Sequence, residues 1–225
     1  MNDSILVCVA MKMEAKLLLD KIESCDYKKI LGFDFYTGKM GNNNIIVGIS
    51  GIGLINMSSI ISVAVSNFKI NSLINYGLSG GYGNLHIGDI VIGSECININ
   101  SFCDSVDNLV TFSDESFNKL VIYNGSSMLI DTTKKINYDN IHFLRLGSGD
   151  VWNKNADKIK MLSIKYNVAC EDMESIAVYQ LADKYELPCI SIRCISNNEI
   201  LSESYDESVI DNLIDFVYRY LLINK

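Results

Sequence analysis

The sequence predicts an α/β protein, a three-layer αβα sandwich around a central mixed, mostly parallel sheet. Strand-like apolar segments alternate with amphipathic helical segments along the chain, as is typical of this class. Several strand candidates are apolar throughout, as expected of strands that helices cover on both faces. The 225 residues show no shift in composition, so we expect one domain over residues 1–225 with a sizeable core.

The first half of the chain shows the alternation in order. Strands are predicted at residues 5–10, 33–39, 44–50, 72–76 and 89–94. Apolar residues at helical spacing predict helices at 13–22 and 55–67. A cluster of glycines follows the strand at 72–76 and contains Gly77, Gly80, Gly81 and Gly83.

The second half is less regular at its start. Residues 98–115 are polar and predict a surface loop, and residues 120–130 fit no single element. Further on, the pattern predicts a strand at 141–147 and helices at 154–166 and 208–222. Between them, residues 171–198 read as an acidic turn that opens a helix, a break at Pro188 and a buried strand over 189–195.

Composition excludes several classes of function. The net charge of −8 and the pI near 4.8 argue against a nucleic-acid or anionic-membrane partner, because both require a basic face. No apolar run is long enough to span a bilayer, and no signal peptide is recognisable. Seven cysteines without a CxxC pair favour reduced thiols and a cytoplasmic location. The two histidines lack metal-ligand spacing, so we expect no metal or other cofactor.

Polar groups follow the predicted strands where open α/β sheets bind their ligands. Glu14 comes directly after the first strand, Glu174 stands at the start of the helix beyond residue 171, and Ser196-Asn197 ends the strand at 189–195. The chain resembles the purine nucleoside phosphorylase/nucleosidase family, in which a Met-Glu pair binds the ribose and a Ser-Asp pair reaches the purine. The corresponding pairs here are Met173-Glu174 and Ser196-Asn197.

Within that family the chain is most similar to the methylthioadenosine/adenosylhomocysteine nucleosidases. Their Ala-Met-x-x-Glu segment is matched by Ala10, Met11 and Glu14, which implies that Glu14 activates the attacking water. An ordinary glutamate in the first turn of a helix remains the alternative interpretation. The phosphorylase branches need cations for phosphate, whereas the arginines here, Arg145, Arg193 and Arg219, are not near the glycine turns in sequence. Hydrolysis is therefore the predicted reaction.

Two carboxylates would divide the chemistry of N-glycosidic cleavage. Glu174 would accept hydrogen bonds from the two ribose hydroxyls while Met173 packs on the sugar. Glu171 and Asp172 are interpreted as solvated charges without a chemical role. Adenine-specific relatives protonate purine N7 with an aspartate, which Asn197 cannot do because an amide has no proton to give. Relatives that take 6-oxopurines use asparagine, so Asn197 indicates hypoxanthine or guanine nucleosides as possible substrates.

Other motifs carry weaker resemblances. Ser148 to Trp152 is similar to a Ser-Gly-Asp-x-Phe segment, which implies that Trp152 stacks on the purine and that the main chain of Asn153 pairs with its edge; a core tryptophan is the alternative. Gly80 corresponds to a glycine turn beneath the ligand, although a loop that merely needs positive φ would look the same.

The 5′ side of the nucleoside is expected to meet apolar residues, namely Met11, Ile52 and Tyr205. The resemblance also implies a homodimer, with helix 55–65 as a possible contact. Three functions stay open: a nucleosidase, a phosphate-dependent phosphorylase, and a purine-binding protein without turnover.

Overall fold

The computed structural model describes residues 3–103, 107–111 and 119–223. In this part of the chain, the helices are α1 (Lys12–Leu19), α2 (Leu54–Asn67), α3 (Ser127–Thr133), α4 (Ala156–Tyr166), α5 (Ser175–Tyr185) and α6 (Ile210–Leu222). The strands are β1 (Ser4–Val9), β2 (Glu23–Ile30), β3 (Phe33–Met40), β4 (Asn43–Ile49), β5 (Ile70–Gly81), β6 (Ile90–Asn98), β7 (Phe102–Cys103), β8 (Asn108–Leu109), β9 (Tyr123–Asn124), β10 (Ile141–Ser148), β11 (Cys170–Asp172) and β12 (Cys189–Asn197).

The main sheet is mixed. Its strands follow the order β11-β10-β6-β12-β5-β1-β4-β3-β2, and β9 pairs with β6. Strand β1 runs parallel to both β4 and β5, and β5 runs parallel to β12. The segment β2-β3-β4 is antiparallel. The predicted fold class, α/β around a mixed sheet, is confirmed.

One pairing folds the sheet back on itself. Strand β11 pairs in parallel with β10 and also antiparallel with β5, so β5, β12, β6, β10 and β11 form a closed ring. In that ring Glu171 of β11 lies opposite Gly80 of β5, and Asn197 of β12 lies opposite Gly80 from the other side. The ring therefore brings three sequence-distant positions together at one end of the sheet.

Helices cover both faces of the sheet, as strand alternation requires. On β1, Ile5 and Val7 face the core that α1 and α6 complete, whereas Leu6 and Cys8 face the core completed by α2 and α5. Five of the cysteines lie buried in strands: Cys8, Cys96, Cys170, Cys189 and Cys194. Burial raises the pKa of the Cys189 thiol to about 12, so this thiol is inert at neutral pH.

The structure departs from the sequence pattern in four places. Strand β2, exposed along nearly its whole length, carries no apolar pattern and was not predicted. The segment 98–115 contains the short pair β7–β8, with 104–106 and 112–118 outside the described residues, and the ambiguous segment 120–130 contains β9 and the start of α3. The segment predicted as an acidic turn contains the short strand β11, and the helix predicted after it begins at Ser175.

The glycine cluster also differs from expectation. Strand β5 continues to Gly81, so Gly77, Gly80 and Gly81 are strand residues, and of the cluster only Gly83 has positive φ. Close neighbours explain Gly77 and Gly81, where an added Cβ would meet another atom at 2.7–2.8 Å, whereas a Cβ at Gly80 would make only ordinary contacts of 3.5 Å or more. None of the helices in the described ranges is long and apolar enough to cross a membrane.

Candidate active site

The predicted site residues, with one exception, line a single cavity beside the carboxyl ends of β1, β5 and β12. Those that line it are Met11, Glu14, Ile52, Gly80, Trp152, Met173, Glu174, Ser196, Asn197 and Tyr205. The wall also includes residues that sequence did not assign, among them Glu171 and Asp172. Parallel strands end together at this edge, which explains why residues far apart in sequence meet here.

Glu14 is held at the start of α1 with its carboxyl buried. Its side chain is 3% exposed and its Oε2 accepts a 2.9 Å hydrogen bond from the Met11 N–H, closing the first turn. The Tyr76 hydroxyl donates to the Glu14 carbonyl oxygen at 2.8 Å. Burial raises the pKa of Glu14, while the Met11 amide and Arg193 oppose that rise. A fixed, poorly solvated carboxylate of this kind is suited to general-base work.

Glu174 lies across the same cavity and is also buried. The Gly53 N–H donates to Glu174 Oε1 at 3.1 Å, and Arg193 Nη1 lies 3.6 Å from Oε2. Burial is the main cause that raises the pKa of Glu174, to about 7. This carboxyl therefore changes its charge near neutral pH, and its ionised form can accept two hydroxyl hydrogens.

Residues Ser50 to Gly53 form a structural turn that serves Glu174. Gly51 and Gly53 have φ of +87° and +102°, values that L side chains rarely adopt. Gly53 precedes α2, whose Leu54 N–H donates to Asp150 Oδ1 at 2.8 Å. Asp150, from the segment that resembles Ser-Gly-Asp-x-Phe, thus fixes the turn that presents the Gly53 N–H to Glu174.

Arg193 is a buried cation beneath this cavity, 1% exposed. Its Nε lies 3.4 Å from Asp172 Oδ2 and its Nη2 donates to Ser175 Oγ at 2.9 Å and to Asn75 Oδ1. The arginines are far from the glycines in sequence, but the fold brings one of them back, because Arg193 pairs with Gly77 across β5 and β12. The sequence does contain a signal for this buried network. Arg193 is the single charged residue in the predicted strand, and a buried charge needs partners inside the protein.

The interpretation of Glu171 and Asp172 as solvated charges is also wrong, since each is 5% exposed. Asp172 Oδ1 accepts from the Ser148 hydroxyl and from the N–H groups of Glu174 and Ser175 at 2.7–2.9 Å. Asp172 therefore orders the link between β11 and α5 while its other oxygen faces Arg193.

Asn153 is the exception among the predicted site residues. It is buried outside the cavity wall, and its N–H donates to Glu171 Oε1 at 2.7 Å while its Nδ2 donates to Glu171 Oε2. The Asn153 N–H is thus already bound to a carboxylate. Pairing of the Asn153 main chain with the base stays a prediction, and Glu171, which Asn153 holds, lines the cavity.

The side-chain amide of Asn197 lies beside Gly80, with Oδ1 3.7 Å from the position that a Cβ at Gly80 would occupy. Its Oδ1 accepts from the Ser196 hydroxyl at 3.2 Å, and its Nδ2 lies 3.5 Å from the position a Cβ at Gly80 would occupy. The neighbouring Asn198 turns away, because its Nδ2 donates to the Leu85 carbonyl at 2.7 Å and its Oδ1 accepts from Ile200 N–H. Of the two adjacent amides, Asn197 is the one that lines the cavity.

The mouth of the cavity is aromatic and apolar. Trp152 is 50% exposed, and its ring centroid lies 6.0 Å from that of Tyr205. Ile52 adds an exposed aliphatic side chain to the same wall. Trp152 is therefore no core tryptophan, and its ring is available for stacking on a flat ligand.

Gly77→Ala is expected to reduce turnover by roughly 10²-fold, because an ångström-scale misplacement of a catalytic group has about that effect. An added Cβ would lie 2.7 Å from Arg193 Nη1 and 2.9 Å from Glu14 Oε1, so both groups must move. The measurement is kcat beside that of Gly32→Ala, where positive φ adds strain but no atom lies within 4 Å of the new Cβ. Equal kcat for Gly77→Ala and the parent would show that Glu14 is not held where the structure places it.

Comparison with known proteins gives one consistent family. Residues 4–219 match the family model described as the phosphorylase superfamily. A 5′-methylthioadenosine/S-adenosylhomocysteine nucleosidase from Halalkalibacterium halodurans is 30% identical over 210 residues, covering 88% of this chain and 87% of the relative. The corresponding nucleosidase from Bacillus thuringiensis is 25% identical over 203 residues, covering 86% and 85%.

Solved structures share the fold at lower identity. The Neisseria meningitidis nucleosidase in complex with methylthio-immucillin-A aligns with a TM-score of 0.85 and 21% identity, covering 98% of this chain and 99% of that one. The native futalosine hydrolase of Helicobacter pylori aligns with a TM-score of 0.81 and 19% identity, covering 97% and 95%.

Proposed function

Because the chain belongs to the phosphorylase superfamily, and because Glu14 and Glu174 are among the four buried carboxylates that line its cavity, we propose that it hydrolyses the N-glycosidic bond of a purine nucleoside. The products are the free base and ribose, or a 5-substituted ribose. The observation that carries the proposal is that Glu14 and Glu174 line one cavity next to the same buried arginine. Relatives named as nucleosidases match nearly the whole chain and support the same reaction class.

In this mechanism the two carboxylates have separate tasks. Glu14 accepts a proton from water as the water oxygen bonds to C1′ of the sugar. Glu174 accepts hydrogen bonds from the ribose hydroxyls and stabilises the positive charge that develops on the sugar. The C1′–N9 bond breaks with its electron pair passing to the purine, and Asn197 Nδ2 donates a hydrogen bond to N7 as charge collects there. The departing base then takes a proton from solvent.

The charge distribution of the cavity favours water over phosphate as the nucleophile. Among the described residues that line the cavity, none is basic. Arg193 lies beneath them and already contacts Asp172 and Glu174. A phosphate dianion at this site would face carboxylates without a free cation to hold it.

Incubation of the protein with methylthioadenosine, adenosine, inosine and guanosine, with and without inorganic phosphate, tests the reaction. We expect free base and unphosphorylated sugar in phosphate-free buffer, with products identified by chromatography. Cleavage that requires phosphate and yields ribose 1-phosphate would make the protein a phosphorylase. Tight binding of a purine base without cleavage of any nucleoside would make it a binding protein.

Turnover is expected to rise with pH through about 7. The pKa of Glu174 is raised to about 7, and only its ionised form accepts two ribose hydroxyls, so activity falls as the pH falls below that value. Burial also raises the pKa of Glu14, which acts in the same direction. The measurement is kcat/KM from about pH 5 to about pH 9, in the parent and in Glu174→Gln. A flat profile for the parent would rule out titration of Glu174 as a requirement.

The apolar mouth supports a nucleoside with an uncharged 5′ substituent. The side chains of Met11, Ile52 and Tyr205 line the cavity and carry no charge. The name of the Halalkalibacterium halodurans relative gives methylthioadenosine, whose 5′ group is apolar, beside S-adenosylhomocysteine, and the apolar lining favours the methylthio group. Asn197 lines the cavity and makes hypoxanthine and guanine nucleosides candidates beside adenine nucleosides.

The surface next to the mouth supports a homodimer. Ile55 of α2 is 78% exposed close in sequence to Ile52, whereas Met57, Ile60, Ile61 and Ala64 of the same helix are in the core. One face of α2 thus packs in the core, whereas Ile55 at its amino-terminal end is exposed and would contact a second copy of the chain. A cytoplasmic location, supported by the five buried thiols in strands, completes the proposal.

A further inference from the structure

The segment that follows β12, residues 199–206, carries Tyr205 at the mouth of the cavity. Asn198 and Glu203 form an isolated antiparallel bridge that closes the first turn of this segment. Ser202 in that turn has φ of +59°, and a residue other than glycine keeps such a conformation where surrounding contacts impose it. The shape of the segment is therefore set by the groups that it contacts.

The carboxylate of Glu203 joins this segment to the β5–β6 loop, residues 82–89. Its Oε1 lies 2.7 Å from His86 Nδ1, and its Oε2 accepts a hydrogen bond from the Ile87 N–H at 3.1 Å. Both oxygens are thus bound by neighbouring residues of one loop. Asn198 joins the start of the segment to the same loop, because its Nδ2 donates to two of the loop carbonyls.

The β5–β6 loop is itself fixed to the sheet. The Gly88 N–H donates to the Ile195 carbonyl at 2.9 Å, and the Ile195 N–H donates to the Asp89 carbonyl at 2.9 Å. Within the loop, the His86 N–H donates to Asp89 Oδ2 at 2.9 Å, and the side chain of Leu85 is in the core. Because the loop is bound to β12, a carboxylate held by the loop has a defined place relative to the cavity.

Tyr205 lies between two fixed points of the segment. Glu203 is two residues before it, and the N–H of Asp206, directly after it, donates to the Ser196 carbonyl at 2.8 Å. With both points held, the ring of Tyr205 lies 6.0 Å from that of Trp152, centroid to centroid. Without the contacts of Glu203 the backbone before Tyr205 would lose one of its two attachments, and the ring would no longer have one place over the mouth.

The charge of His86 adds to the attachment of Glu203. The hydrogen bond with Glu203 raises the pKa of His86, and the charges of Glu203 and Asp89 act in the same direction. His142 of β10 stands on the far side of Asp89, with Nε2 3.5 Å from Oδ2. A charge-assisted hydrogen bond is stronger than a neutral one, so the contact between Glu203 and His86 is strongest while His86 is protonated and weakens as the pH rises through that pKa.

Given the proposed cleavage of a purine nucleoside, on which this inference rests, we propose that Glu203, held by His86 and the Ile87 N–H, positions Tyr205 against the 5′ group of the bound nucleoside. An aromatic ring packs favourably on a thioether sulfur, so a 5′-methylthio group gains most from this placement. Glu203 and His86 are positioning residues, because they act through Tyr205. Their loss weakens binding of the 5′ group and leaves the bond-breaking step nearly unchanged.

Substitution of Glu203 by alanine tests the assignment, with methylthioadenosine and adenosine as the two substrates. Adenosine lacks the methylthio group that would lie against Tyr205. Glu203→Ala is expected to lower the ratio of kcat/KM for methylthioadenosine to that for adenosine by about three- to tenfold, a size typical of hydrogen bonds at a partly exposed site. The change should lie in KM, with kcat within about twofold of the parent.

Two further variants separate positioning from a general effect of charge. Glu203→Gln keeps one acceptor oxygen for His86 or for the Ile87 N–H, so it should recover part of the ratio lost in Glu203→Ala. Glu199→Gln removes an exposed carboxylate of the same segment and is the matched control, expected to keep the parental ratio. An equal loss of kcat/KM for both substrates in Glu203→Ala would indicate a merely structural role and overturn the proposal.

Fluorescence of Trp152, the single tryptophan of the chain, measures the same effect without turnover. Titration with methylthioadenosine and with adenosine gives both Kd values even if neither nucleoside is cleaved, so failure of the proposed reaction stays distinct from failure of this inference. From about pH 6 to about pH 9, the parental Kd for methylthioadenosine should rise relative to that for adenosine as His86 loses its proton. Titration of Glu174 affects both nucleosides through the ribose and cancels in the ratio.

His86→Gln removes the titrating group at an exposed position, where a folding defect is not expected, and its ratio of Kd values should not change with pH. A shift of the Trp152 emission of Glu203→Ala to longer wavelength, as Tyr205 leaves the ring uncovered, would support the proposal. Parental ratios in both Glu203→Ala and His86→Gln, with unchanged Trp152 emission, would overturn it and leave the hydrolase intact. Should Glu203→Ala fail to fold, His86→Gln decides the matter.

Discussion

Glu14→Gln is expected to lower kcat by roughly 10²-fold to 10⁴-fold, the usual effect of losing a general base. Glutamine preserves the side-chain volume and can still accept the Met11 N–H, so the first turn of α1 should remain closed. It cannot take a proton from water. The loss should therefore appear in kcat, while the Kd for a bound purine base stays close to that of the parent.

Three further measurements make the Glu14→Gln result decisive. The melting temperature should stay near that of the parent, which would exclude a folding defect. Glu23→Gln, which removes one exposed carboxylate, should turn over at the parental rate. The acid limb of the pH profile should lose the contribution of Glu14. A kcat within about twofold of the parent would remove Glu14 from the mechanism.

Arg193→Met is expected to destabilise the protein by about 3–5 kcal/mol, the typical effect of removing one partner from a buried ion pair. The substitution leaves Asp172 and Glu174 without their cation and leaves Ser175 Oγ without a donor. Asn75 Oδ1 loses the Arg193 donor and keeps the hydroxyls of Ser191 and Ser175. For a chain of this length each kcal/mol lowers Tm by about 2–4 °C, so a decrease of roughly 6–20 °C should be seen by calorimetry.

The pH dependence of that decrease identifies its cause. Burial raises the pKa of Glu174 to about 7 and Arg193 opposes that rise, so without Arg193 the Glu174 carboxyl takes up a proton more readily as the pH falls and then no longer carries an unpaired buried charge. The difference in Tm from the parent should therefore shrink as the pH falls below neutral. Arg219→Met is the matched control, because Arg219 pairs with Asp215 on the exposed surface of α6 and such pairs contribute little. Equal melting temperatures for Arg193→Met and Arg219→Met would contradict the buried network.

Most of the fold follows from sequence because its strands are strongly apolar. β1, β4, β10 and β12 are visible as runs or alternations, and α6 shows a clear amphipathic pattern. Strand β2 was missed because it is exposed almost throughout, so no buried face marks it. Its place at the edge of the sheet comes from hairpin pairing with β3, which sequence periodicity does not report.

The candidate site was predictable where a residue directly follows a predicted strand. Glu14 and Asn197 belong to this group, because parallel strands bring their ends together. Glu171 could not be placed, since β11 has only three residues and its pairing with Gly80 is a tertiary contact. Arg193 could have been found, because a charge within an apolar strand must be compensated inside the protein.

The central claim is that Glu14 and Glu174 act on one sugar in one cavity. A crystal structure of Glu14→Gln, soaked with an uncleaved purine nucleoside, tests it most directly. The account predicts ribose hydroxyls on Glu174, the base beside Asn197, and a water molecule between Gln at position 14 and C1′. A nucleoside bound with its C1′ away from position 14, or with its ribose out of reach of Glu174, would contradict the account.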